Sequence, residues 1–70
     1  MNLITIQTMS DGTVARSMLN YNTMTEALGA LYYTLSSSIS NEAVASVLTM
    51  IIDDEGKCKK YETWDRTDEA

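Results

Sequence analysis

Three groups of side chains carry the reactive chemistry available to this chain. They are the carboxylates of Asp53, Asp54 and Glu55, the thiol of Cys58 among Lys57, Lys59 and Lys60, and the hydroxyls of Ser36, Ser37 and Ser38. Carboxylates in a run suit a hard cation, but Ca²⁺ takes about six to eight oxygens, and this stretch is too short and lacks the EF-hand spacing. Followed by Gly56, it reads instead as a solvated hairpin turn. A nucleophilic cysteine needs a base or a cation to lower its pKa. The three lysines are neighbours in sequence, but the chain has no histidine, and Cys58 is expected to be a small half-buried residue. The serines lack both a G-x-S-x-G elbow and a histidine partner. Glu62 and Asp65 remain as general bases only for a composite site built between two copies. No catalytic, cofactor-binding or metal-ligating residue is assigned, and the chain is expected to be no enzyme.

Composition bounds the rest. Seventy residues with one cysteine and no histidine allow neither an intrachain disulfide nor a structural zinc site. A chain of this length buries only about 60% of its unfolded surface and is marginal alone. Oligomerisation is the remaining means of stabilisation. The net charge is −5, and Arg16, Lys57, Lys59, Lys60 and Arg66 are the only cations. They are too few for a phosphate-backbone surface, so neither nucleic acid nor an anionic membrane is an expected partner. A lone thiol suits a reducing compartment and the N-terminal residues lack a signal-peptide pattern, so a cytoplasmic location is expected.

The elements follow from periodicity and turn chemistry. Residues 3–8 alternate as a strand, with Ile4 and Ile6 on one face. Ser10, Asp11, Gly12 and Thr13 form a turn, and residues 14–21 return as a second strand. Thr23 and Glu26 match a capping box, predicting a helix to about Ser37. Its apolar stripe is Met24, Ala27, Leu28, Leu31, Leu35 and Ile39. Residues 43–47 fit either a helix or a strand, and a strand from about Val44 is preferred. A turn at residues 53–57 leads to a last strand, residues 58–66, with Cys58, Lys60, Glu62 and Trp64 on one side and Lys59, Tyr61 and Thr63 on the other. The lysines suit an edge strand. The fold class is α+β: a ββαββ unit over residues 1–66, with a four-stranded antiparallel sheet in order 2-1-3-4, one helix on one face, and residues 67–70 as a frayed tail.

Residues 47–52 read VLTMII, with Thr49 the sole polar member. A strand with one wet face alternates apolar and polar residues, whereas both faces of this one are suited to burial. A single helix covers a single face, so a second copy is expected on the other. Which parity faces the helix is open. The candidate interface comprises Val47, Thr49 and Ile51 with the rings of Tyr33, Tyr61 and Trp64, aromatic residues being frequent interface anchors. Tyr33 lies off the helical stripe and should be exposed. Tyr61, for which core packing is favoured, and Trp64 point to opposite faces, so one of them leaves the helix side.

The start of the chain, the TEAL opening at Thr25 to Leu28, VLTMIIDDEG from Val47 to Gly56 and KYETWDR from Lys60 to Arg66 together resemble the small proteins of phages and prophages of Gram-positive gut bacteria. That resemblance carries over no catalytic residue. The expected function is a non-enzymatic interaction module that forms a homodimer through its uncovered sheet face. The alternative is a phage-type inhibitor that sequesters a host protein or a small ligand.

Overall fold

One short turn geometry is used twice to fold each end of the chain into a hairpin. The Met9 N–H donates to the Thr13 carbonyl at 2.7 Å and the Gly12 N–H to the Met9 carbonyl at 2.9 Å; likewise Asp53 donates to Lys57 at 2.9 Å and Gly56 to Asp53 at 3.0 Å. Gly12 and Gly56 sit at φ 93° and 86°, in the left-handed region that a side chain strains. An aspartate braces each turn. Asp11 Oδ1 accepts from the Thr13 N–H at 2.9 Å and its hydroxyl at 2.7 Å, and Asp53 Oδ1 accepts from the Glu55 and Lys57 N–H groups, each at 2.9 Å.

The computed structural model describes residues 1–66; the expected tail at 67–70 lies outside them. The elements are β1 (Asn2–Met9), β2 (Val14–Asn20), α1 (Met24–Ser40), β3 (Val44–Ile52) and β4 (Cys58–Asp65). The sheet runs β2-β1-β3-β4, antiparallel at every step. This is the expected ββαββ topology and strand order.

Thr23 caps α1: its hydroxyl oxygen accepts from the Glu26 N–H at 3.2 Å, while the hydroxyl donates to the Glu26 carboxylate at 3.1 Å. The helix runs on to Ser40 rather than ending near Ser37. Ser38, just past the expected end, is buried. Its hydroxyl donates to the Thr34 carbonyl at 2.8 Å and accepts from Gln7 Nε2 at 2.7 Å. Both of its hydrogen-bonding roles are satisfied, so it anchors the last turns on β1 instead of unravelling them. The helix–strand ambiguity after it resolves as a strand from Val44, which pairs with Met9 across a bulge.

The odd-numbered residues of β1 face α1, as do Val47, Thr49 and Ile51 of β3 and, beyond the bulge, Val44. Leu3, Ile51, Ala27 and Leu31 form the core cluster, flanked by Met1, Tyr21, Met24, Leu28 and Ala30. Within it, Thr5 and Thr49 place their hydroxyl oxygens 3.3 Å apart, so two buried polar side chains satisfy each other. This corrects the expected interface. Val47, Thr49 and Ile51, expected on the uncovered face, are 3%, 0% and 0% exposed and lie beneath the helix. That parity is the one on which the Thr5, Thr49, Gln7 and Ser38 polar groups find partners.

Candidate interaction surface

The face of the sheet away from α1 is built in rows by the strand register. The two central rows are Met18, Ile4, Met50, Tyr61 and Arg16, Ile6, Leu48, Thr63. Polar rows close both ends: Asn20, Asn2, Ile52, Cys58 on one side, and Val14, Thr8, Ser46, Asp65 on the other. Asn20 Nδ2 donates to Asn2 Oδ1 at 2.9 Å, which ties that rim together. An apolar centre within a polar rim is the composition of a protein–protein contact surface.

In β1 the pattern runs against what a one-sided sheet requires. Under the helix lie Leu3, Thr5 and Gln7; on the open side lie Ile4 and Ile6. In β3 the open side carries Leu48, Met50 and Ile52. The uncovered centre is therefore at least as apolar as the covered one. Met18 is 68% and Tyr61 61% exposed, so the edges of this patch stand in solvent. Four strands at about 4.8 Å spacing and a run of about seven residues at about 3.3 Å give roughly 450 Å² of projected face. Two such faces, with side-chain relief added, reach the ~1,000 Å² of a specific interface.

Of the expected rings, Tyr61 leaves the helix side. It is exposed on the open face opposite Met50, against the expectation of core packing. Trp64 is the ring that stays: it is half-buried opposite Val47, with the Arg66 guanidinium carbon 4.6 Å from its ring centre. Tyr33 is exposed on the helix, far from the sheet's open side. Ile4, Ile6, Met18, Leu48 and Met50 are not among the residues expected at an interface from the sequence. The shared face of Ile4 and Ile6, opposite the parity of Thr5 and Gln7, was the signal that could have found them.

The chemically reactive groups are dispersed or engaged. Asp53 accepts turn amides and lies 3.5 Å from Lys59 Nζ; Lys57 Nζ is 3.8 Å from Glu55, and the N-terminal ammonium 3.9 Å from Asp54. Asp53, Asp54, Glu55 and Lys59, with Met1 and Asn22, line an open depression of about 380 Å³. Hydrogen bonds hold two carboxyls below the ordinary carboxylate range, chiefly from the Thr13 amide for Asp11 and from the Lys57 amide for Asp53. The Lys60 ammonium is pushed up, first by its hydrogen bond to Tyr32 and then by charge interactions with Tyr32 and Glu62.

Cys58 is exposed rather than half-buried, because a bulge at Ile51/Ile52 pairs it with Ile52 and Lys60 with Ile51. It therefore joins the open face, parted from Lys60, Glu62 and Trp64, with which the regular alternation had grouped it. Glu62 and Asp65, the candidate bases, fall on opposite faces of the sheet. Among the described residues no cluster of His, Cys, Asp and Glu is arranged to hold a metal ion, and no helix is long and apolar enough to cross a membrane. Set against family models, curated proteins and solved structures, the chain matches none.

Proposed function

We propose that this chain is a non-enzymatic interaction protein whose partner is a second copy of itself, docked sheet to sheet over Ile4, Ile6, Leu48 and Met50. The observation that carries this reading is the inverted pattern of β1: threonine and glutamine under the helix, two isoleucines on the uncovered side. Ile4 and Ile6 are only half-buried, and the aliphatic surface they leave open gains from burial at roughly 25 cal/mol per Å². The size of the face and its polar rim support a closed contact, and the charge of −5 per chain is kept away from its centre. Stacked sheets pack about 10 Å apart with their inner side chains interdigitating, which suits the Leu and Met side chains of β3.

Methyl resonances followed through a dilution series test this reading. Those of Ile4, Ile6, Leu48 and Met50 should move with concentration while those of Ala27, Leu31 and Ile51 stay fixed. Concentration-independent spectra, or shifts confined to the helix around Tyr33, would sink it.

A further inference from the structure

The two edges of the sheet are not alike. β4 is guarded: Lys57, Lys59 and Lys60 crowd it and a bulge at Ile51/Ile52 breaks its regularity, two devices that discourage further strand pairing. β2 has neither. It pairs with β1 without a register shift along all seven of its residues. It contains no lysine, proline or glycine, and Arg16 is its only charge. α1 packs on β3, β1 and β4, so β2 lies beyond its cover. Val14, Met18 and Leu19 are 43%, 68% and 55% exposed.

The ladder shows which peptide groups point outward. Tyr21 N–H donates to the Met1 carbonyl and Met9 N–H to the Thr13 carbonyl, each at 2.7 Å. Hydrogen-bonded pairs alternate along an antiparallel ladder, so Ala15, Ser17 and Leu19 bond to β1. Val14, Arg16, Met18 and Asn20 turn their N–H and C=O groups to the outer edge, where none has a backbone partner among the described residues.

We infer that β2 is a strand-addition edge whose occupant is β2 of a second copy, antiparallel, with the twofold axis passing beside Ser17. This does not rest on the face-to-face reading. One register pairs the whole strand: Val14 with the partner's Asn20, Arg16 with the partner's Met18, Ala15 with the partner's Leu19, and Ser17 with its own equivalent. The outward peptide groups at Val14, Arg16, Met18 and Asn20 then all find partners. Sliding by one step in one direction sets Arg16 opposite itself, which like charges disfavour; sliding the other way leaves Val14 unpaired. The product is a continuous sheet with both helices on one side. Between them runs a trough lined by Ala15, Ser17 and Leu19 of both copies.

Cysteine cross-linking tests both the edge and its register. Ser17 and its equivalent form a non-hydrogen-bonded pair, whose Cα atoms sit about 4.5 Å apart, within disulfide reach. Ser17 points to the helix side of the sheet, so a face-to-face dimer cannot link it. In a Cys58→Ser background, Ser17→Cys under glutathione oxidation should lose its free thiol and double in mass on a non-reducing gel. Ala15→Cys and Leu19→Cys should each stay single alone and form a linked heterodimer when mixed. Circular dichroism confirms that each variant is folded. A folded Ser17→Cys chain that stays single, equal cross-linking by all three variants, or a mixture that yields no heterodimer would overturn the proposal.

Discussion

Arg66 closes the C-terminal end of the helix: its Nη2 donates to the Asn41 carbonyl at 2.9 Å. The same guanidinium donates to the Ile39 carbonyl at 3.3 Å and, through Nε and Nη2, to the Val44 carbonyl at 3.0 and 2.9 Å. The last turn of α1 carries no basic residue of its own. A cation delivered from the end of β4 thus meets the negative end of the helix and its unpaired carbonyls.

Arg66→Ala should therefore destabilise the protein by about 1–2 kcal/mol, and Arg66→Lys should recover only part of that, since an ammonium cannot span several carbonyls as the planar fork does. Urea denaturation of the three chains checks this. Equal midpoints for the alanine variant and the parent would show that the contact is idle.

The buried Thr5 and Thr49 pair predicts non-additivity. Thr49→Val leaves the Thr5 hydroxyl without its partner and should cost about 1–2 kcal/mol. The Thr5→Val/Thr49→Val double variant should cost less than the sum of the singles, because it removes donor and acceptor together. Additive losses in a double-mutant cycle would mean that the hydroxyls are satisfied elsewhere.

Acid should loosen the β3–β4 turn first through Asp53. Its pKa is depressed in the folded protein from an ordinary value of 3.8. The stabilisation is present above that value and is lost as pH falls through the lower folded pKa. Asp53→Ala should lower the melting temperature at neutral pH and converge with the parent toward the acid end. A gap between the two chains that is constant from neutral pH to below 3.8 would contradict the linkage.

Adjacent residues of β3 should respond in opposite ways to a charge. Ile51 is fully buried against Leu3, Ala27 and Leu31, so Ile51→Glu should unfold the chain, a buried unpaired carboxylate being among the costliest changes a small core can suffer. Met50→Glu places its charge on the open face and should keep the fold. Circular dichroism decides. Two unfolded variants would mean that both faces are needed even in the isolated chain, and two folded ones would contradict the burial of Ile51.

The topology was legible because its signals are local: glycine turns at Gly12 and Gly56, the Thr23 cap, and branched residues in β3. Which face of the sheet the helix covers was not. A one-residue change of register exchanges the two sides of a strand, and residues 47–52 are apolar on both parities. β1 even points the wrong way, since its isoleucines lie outside and its threonine and glutamine inside. That inversion is intelligible only once Ser38 and Thr49 are seen as the partners of Gln7 and Thr5. The role of Arg66 was equally hidden, because it joins groups separated by 22 to 27 positions in sequence. The bulge that brings Cys58 to the open face leaves no trace in the alternation of β4.

Light scattering coupled to size exclusion, run on the parent and on Met50→Glu at matched concentrations, tests the open-face contact most directly. The parent should be heavier than the folded variant wherever association is populated, by about twofold once the twofold contact is saturated. Equal masses at every concentration, with the variant's circular dichroism unchanged, would contradict it.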